Sequence, residues 1–568
     1  MGYSQVYLRD HGPAICEEYE ARASLPSAAV YYLLLELKGN FMQRLAPAVL
    51  LSFVLATAWS HPSPAAAPTK LSVVPKWGRF EQSFKSTVNY SNAWQEASLT
   101  VRFTSPLGES SQVIGFWDGG KVWRVRFSPD QPGRWTYNTS CSDESNRGLN
   151  NQSGEFVCTA ATGTSRFQQH GPVRVARDGR HFEHADGTPF FWMGDAVWAG
   201  AVLSDEKDWD TYVRVRASQG FDVALWTIAP SLNSLGQSPF RGEGERSTID
   251  PEFFRHLDRK LEELNQAGIL SAIDPRPSVG RLPKPQDILL VRYAAARWNS
   301  AAVVWLVDNE PNAKEIGETI FKRFSSRPVM LCHGQVHSLP EDLRHEPWVD
   351  ALGMQSLYEA AREWFFADAF EKAWTLEPTR PVNIFGPHEN GEVPHKRITS
   401  DDVRHFAYWA LLVAHEAGVG YGAQGVSNWI TNTDVATTRA AGSGLPLWHR
   451  ALFMPAAKQM TMLARFIEQF EYWRLRPLPS MVVQPADTPP SHRIVAAQTE
   501  SKDLALVYVP ESRTIELVNE TFPSSPTITW FNPRTGENSP AVGVVGDKTT
   551  QFPTPDPGDW VLVMKQAR

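Results

Sequence analysis

Between residues 166 and 475, eight apolar runs of strand length alternate with stretches of helical periodicity. This alternation constrains the fold more than anything else in the chain. The runs are Phe190–Gly194, Val223–Ile228, Leu270–Ile273, Val303–Val307, Val329–Cys332, Ala351–Met354, Val382–Phe385 and Val419–Gly422. A strand buried on both faces reads as a continuous apolar run, as in parallel sheets. The intervening stretches carry helix punctuation. Asp250 and Pro251 suit an N-cap and a first helical position. Phe254, Leu257, Leu261 and Leu264 then recur on one face, and Gly268 follows as a stop. Ser204-Asp205-Glu206 opens a second helix, with Trp209, Tyr212 and Val213 inside and Gly220 as its stop. Ser400-Asp401-Asp402 opens a third, with Val403, Phe406, Ala407, Ala410 and Leu411 inside. Eight strands with helical crossovers in about 300 residues predict an α/β fold, a (β/α)8 TIM barrel.

The flanks are patterned differently. Residues 71–165 read as short alternating strands, among them Leu99–Phe103, Ser111–Phe116 and Val122–Phe127, and predict an N-terminal β-sandwich. Residues 476–568 return to that pattern, with Leu504–Val509, Thr514–Val518 and Trp560–Met564 separated by Pro- and Gly-rich turns, and predict a C-terminal β-sandwich. A chain of 568 residues is too long for one core. The expected organisation is a leader over 1–70, a sandwich over 71–165, a barrel over 166–475 and a second sandwich over 476–568.

Residues 42–67 resemble a secretory signal. Met42-Gln43-Arg44 is a short basic start, Leu45–Ala56 is an apolar core too short to span a bilayer, and Ala56-Thr57-Ala58 and Ala65-Ala66-Ala67 offer small-residue cleavage sites. A secreted or periplasmic chain starting at Met42 is the expectation; a membrane anchor behind a cytoplasmic stub is the alternative. Cys141 and Cys158 follow strand-like runs and could close a hairpin-sized loop, so a disulfide between them is expected, in keeping with an oxidising compartment. No CxxC or HExxH spacing occurs, so no metal and no cofactor is expected. A net charge of −7 without a long basic run argues against nucleic acid, and against membrane contact beyond the signal segment. Oligomeric state is not readable.

Chemistry-bearing residues cluster after the apolar runs. In a barrel, catalytic groups project from the carboxyl ends of the strands. Asp195 and Trp198 follow the first run, Trp226 lies within the second, and Asp274 and Arg276 follow the third. Asn309 and Glu310 follow the fourth, before Pro311, which cannot donate to a sheet ladder. His333 follows the fifth, and Gln355 and Tyr358 the sixth. His388 and Glu389 follow the seventh, while Tyr421, Gln424 and Trp429 belong to the eighth and its exit. Amides, carboxylates and aromatics in this arrangement suit a sugar pocket. Glycoside hydrolysis needs two carboxyl groups across the anomeric carbon, about 5–5.5 Å apart for retention and about 6.5–9.5 Å for inversion. The fourth and seventh strand ends face each other across a barrel mouth, which makes Glu310 and Glu389 the candidate pair. Asn309 would bond a neighbouring sugar hydroxyl.

The strand followed by Asn309-Glu310-Pro311 resembles the acid/base signature of retaining clan A glycoside hydrolases. From about residue 75 onward the chain is similar to apiosidase-like glycoside hydrolases. That resemblance is carried by Asp186–Trp198, Arg216–Phe221, Gln355-Ser356, Asp402–Trp409, Gly420-Tyr421-Gly422 and Trp530–Gly536. It implies a sandwich–barrel–sandwich architecture, the last sandwich of a collagen-binding type. It also implies retaining hydrolysis of plant or algal polysaccharide, with Glu310 as acid/base. After the seventh strand, Gly386 and Asn390 stand where that family carries acids, and Glu389 falls one place early. The nucleophile is then Glu389, or Glu392, or lost; if lost, the chain is a carbohydrate-binding or adhesion protein on the same barrel. A third reading is an inverting enzyme in which Glu389 or Asp195 activates water.

Overall fold

The computed structural model describes residues 71–567 apart from 229–231, 277–282, 310, 334–340, 356–369, 394–395 and 433–444. The signal-like segment at 42–67 lies outside the described residues, as do Glu310 and Tyr358. Eight parallel strands close into a barrel in sequence order. We number them β1 (Trp192–Ala196), β2 (Val223–Thr227), β3 (Leu270–Asp274), β4 (Val303–Asp308), β5 (Val329–His333), β6 (Ala351–Gln355), β7 (Val382–Glu389) and β8 (Gly418–Ala423). Closure is made by β1 pairing with β8, Trp192 opposite Gly418 through Ala196 opposite Gly422. The expected first strand begins two residues later than its apolar run, because Pro189–Phe190 belongs to a separate three-stranded sheet. That sheet sends Phe182 and Phe190 into the cluster formed by the inward side chains of the strands, and so closes the amino-terminal end of the barrel.

The outer layer includes five long helices: α1 (Glu206–Ser218), α2 (Pro251–Gln266), α3 (Lys284–Trp298), α4 (Ser400–Trp409) and α5 (Pro455–Ile467). α2 begins as its sequence predicts, with the Asp250 carboxylate accepting from Glu252 N at 3.1 Å and Pro251 at the first position. It ends before Gly268, whose φ of 82° the left-handed region demands. α4 is capped by Thr399, one residue ahead of the expected start, in a reciprocal box with Asp402.

On the N-terminal side lie a five-stranded and a three-stranded sheet built from Ser72–Thr159. On the C-terminal side lie a six-stranded and a three-stranded sheet built from Leu475–Gln566. Buried ion pairs tie both sets to the barrel helices. Asp258 of α2 accepts from Arg126 of the N-terminal sheets and from Arg297 of α3, each at 2.8 Å. Arg404 of α4 forms a two-pronged bond with Asp559 of the C-terminal sheets, at 2.7 and 2.8 Å, and Tyr508 Oη donates to the same carboxylate at 2.9 Å. Such pairs keep their register because breaking one strands a buried charge.

The expected disulfide is not formed: Cys141 and Cys158 are both free, buried thiols. Their strands do pair, Gly133–Cys141 against Ser153–Thr159, but the register sets Cys158 opposite Gly133. The two sulfurs therefore belong to opposite ends of the ribbon, eight positions or about 26 Å apart along the strand. A disulfide needs Cα atoms within about 7 Å.

Candidate active site at the barrel mouth

Side chains alternate along a strand, and the inner cluster fixes which half points inward. Val223 and Leu225 of β2, Leu270 and Ala272 of β3, Val304 and Leu306 of β4, and Met330 of β5 all belong to it. The next inward positions, at the carboxyl ends, are Thr227, Asp274, Asp308 and Cys332. Asp274 Oδ1 accepts from Arg276 N at 3.1 Å, and Arg276 Nε lies 3.6 Å from the same oxygen. Burial raises the Asp274 pKa; Arg276 opposes the shift and Asp308 adds to it. Burial, reinforced by Asp308 and Asp274, pushes the Cys332 thiol well above its ordinary value, so this wall of the mouth is acidic with a neutral thiol beside it. Asn309 is exposed beyond the strand, its backbone N–H donating to Cys332 O at 3.2 Å. Trp198, half-buried, packs against the inner cluster just past β1. The backbones of His333 and Gln355 end β5 and β6; their side chains lie outside the described set.

The seventh strand carries the decisive irregularity. Phe385 pairs with Gly420 and His388 with Gly422, so three steps on β7 meet two on β8. One extra residue in the stretch Gly386-Pro387 makes a bulge, and Pro387 has no N–H to give the ladder. Phe385 points inward, so regular alternation would turn Glu389 inward as well. The extra residue reverses the phase. His388 takes the mouth side, half-buried above Gly422, where any Cβ would overlap its imidazole. Burial lowers its pKa, against the pull of Asp195 and of a bond the imidazole donates to the Gln424 side chain. Glu389 takes the outer side and is 5% exposed. Its Oε2 accepts from Tyr421 Oη at 2.9 Å, and both oxygens accept from Ala456 N in the first turn of α5, at 3.1 and 3.2 Å. Burial raises the Glu389 pKa while these donors and Arg216 hold it down. A carboxylate at a helix N-terminus is a structural cap.

Several residues expected in the pocket are corrected to this outer layer. Asp195 is fully buried; it accepts from Arg216 Nε at 2.8 Å, Arg216 Nη2 at 3.2 Å and Tyr212 Oη at 2.9 Å, all from α1. Tyr421 packs its ring over the Arg216 guanidinium and against Phe221. Trp226 meets Trp298 of α3 edge-on, and Trp429 stacks on Trp448 with centroids 4.4 Å apart. Each is a core residue between strand and helix. Sequence reasoning did not single out Asp308, although counting in twos from Val304 and Leu306 would have turned it to the mouth.

A family model described as "Apiosidase-like, catalytic domain" matches residues 176–474, more than half of the chain. The chain belongs to the apiosidase-like family. Flanking this apiosidase-like segment, a domain model without assigned function (DUF5060) matches residues 73–142, and one described provisionally as a collagen-binding domain of a collagenase matches 477–565. A glycoside hydrolase family 5 protein from Bacteroides vulgatus is similar in structure, with a TM-score of 0.63 at 18% identity over 72% of this chain and 95% of that one. Another Bacteroides vulgatus protein, provisionally described as a glycoside hydrolase, reaches a TM-score of 0.66 at 19% identity over 87% of this chain and 100% of that one. At these identities the likeness is one of fold. No curated protein matches the chain.

Proposed function

We propose that the chain is a secreted glycoside hydrolase that cleaves plant or algal polysaccharide with retention of configuration, using Glu310 as acid/base. The observation that carries this reading is the end of β4. The strand stops at Asp308 on the catalytic face of the barrel, and Glu310 follows two residues later, where such barrels hold a catalytic acid. The apiosidase-like match supports the chemistry, and the signal-like segment at 42–67 supports secretion. Both Glu389 oxygens are engaged on the outer side of the barrel wall, so we assign the nucleophile to Glu392, the next acid along the chain, in the hairpin Glu392–Val393. Digestion of a polysaccharide panel tests the proposal: Glu310→Gln should abolish reducing-sugar release while keeping the wild-type melting temperature. Unchanged turnover would refute the acid/base assignment. Trapping with a fluorinated glycoside and peptide mapping should label Glu392; a label elsewhere, or none on a turning-over enzyme, overturns that role.

One observation favours a second reading. The seventh strand turns a histidine, not a carboxylate, to the mouth. If Glu392 supplies no nucleophile, the barrel binds glycan without cutting it. Saturable binding with no product over long incubation would establish that reading, and release of reducing sugar would dismiss it.

A further inference from the structure

The bulge in β7 brings two polar side chains together at the mouth. His388 faces inward after the phase reversal, half-buried, with the Nε2 edge of its ring laid over Gly422. Gln424 follows two residues after Gly422, at the exit of β8, and is half-buried too. Its backbone N–H donates to Glu389 O at 3.0 Å, which pins this exit to the bulge, and its side chain accepts from the imidazole. Neither side chain has a further partner among the described residues.

Burial disfavours the imidazolium and outweighs Asp195 and the Gln424 bond, so the ring is neutral at neutral pH. A neutral imidazole has one N–H. With that given to the Gln424 amide oxygen, its other nitrogen is an acceptor, and the Gln424 amide keeps its N–H2 to donate. The pair therefore offers one acceptor beside one donor. A hydroxyl answers both, because it donates and accepts through a single atom. A carboxylate can take only the amide, and brings its charge up to the nitrogen lone pair.

We propose that His388 and Gln424 form a hydroxyl-binding pair in the glycan site, the imidazole accepting from a sugar O–H only in its neutral form. A proton on the ring and a sugar on the ring then exclude one another. The inference rests on the carbohydrate reading of the mouth and deepens it by naming contact residues and a dependence on acid. It applies whether or not the bound glycan is cut. The charged group acting on the ring is Asp195 of β1, itself paired with Arg216 and bonded by Tyr212. Glu389 on β7 points to the outer side, bonded to Tyr421 and Ala456. Asp274 and Asp308, at the ends of β3 and β4, and the acids assigned to Glu310 and Glu392 belong to the same face of the barrel, so the test reads the ring itself.

The full-length Glu310→Gln chain, carrying isotope-labelled histidine, is titrated from about pH 8 to about pH 4.5 by NMR. It is titrated free, and again saturated with the tightest binder from a panel of neutral plant and algal oligosaccharides. His388→Phe identifies the ring's Cε1–H signal by its loss. Saturation should move the His388 titration to lower pH, and calorimetry should show affinity falling at least about ten-fold as the free ring takes its proton. His388→Phe should weaken binding at neutral pH by about ten-fold and remove that acid loss. Gln424→Leu should weaken binding while leaving the ring to titrate. A purely structural role would move melting temperatures without coupling the glycan to the ring's proton. A His388 titration that saturation leaves in place, or an acid loss undiminished in His388→Phe, overturns the inference. Binding of no member of the panel overturns it together with the carbohydrate reading. Should glycan shift the ring's titration while the unmodified chain releases no reducing ends, the hydrolase reading falls and the hydroxyl-binding pair stands. Hydrolysis of a glycan that leaves the ring's titration unmoved does the reverse.

Discussion

Tyr421 and Glu389 are bonded to each other on the outer wall of the barrel, Tyr421 Oη donating to Glu389 Oε2 at 2.9 Å. The pair joins the last two strands to the first turn of α5, because the same carboxylate takes the Ala456 N–H. A group so engaged acts by holding α5 against β7 and β8.

Glu389→Gln should therefore leave hydrolysis within about three-fold of the unmodified chain while lowering stability by about 1–3 kcal/mol, since the new amide N–H2 is buried without an acceptor. Turnover measured beside a thermal melt separates this from a nucleophile's behaviour, in which turnover is lost and melting is unchanged.

Gly422 makes room for His388 on the adjoining strand. Gly422→Ala puts a methyl into the imidazole, so the ring must move or the strands must part. The expected cost is about 1–3 kcal/mol. The His388 ring signals should shift in NMR spectra of the variant while those of His170, on the far side of the inner core, hold their positions.

Acid should weaken the seam between the N-terminal sheets and the barrel. Burial raises the Asp258 pKa, but Arg297 and Arg126 outweigh it and bring the carboxyl down to about 2. The folded value lies below the unfolded one of about 3.9, so the contribution is complete above about pH 5 and is lost as pH falls through 4 toward 2. It amounts to roughly 2–3 kcal/mol. Melts between pH 6 and pH 2.5 should show that loss, and Asp258→Asn should flatten it.

Cys141 and Cys158 should titrate as thiols. Burial raises the pKa of both, so native protein should react slowly with a thiol reagent. Denatured, unreduced protein should take up label at both positions in peptide maps. A linked Cys141–Cys158 peptide would contradict the strand register.

The barrel is legible in the sequence because its strands are apolar over most of their length, and because helix caps such as Asp250 and Gly268 separate them. The same property hides the site. A strand apolar on both faces carries no two-residue pattern from which to read which polar end group turns inward. Asp195, Trp226 and Tyr421 accordingly read as pocket residues, although they face the helices. At Glu389 the obstacle is a single inserted residue. Gly386-Pro387 hints at an irregular strand, but only the pairing with Gly420 and Gly422 shows the phase reversal. The cysteines mislead for a related reason: closeness in sequence suggests a loop, whereas the hairpin register holds them at opposite ends of the ribbon.

The Arg404–Asp559 bond bears on how this protein can be dissected. A catalytic fragment ending before Pro477 would remove the buried carboxylate from the Arg404 guanidinium, leaving it only the exposed Asp401 at 2.9 Å and the Gln459 amide oxygen at 2.7 Å, and would remove the strand whose Tyr508 stacks on Tyr408. Anyone seeking the smallest expressible piece should cut elsewhere, or replace Arg404 with an apolar residue of similar bulk at the same time.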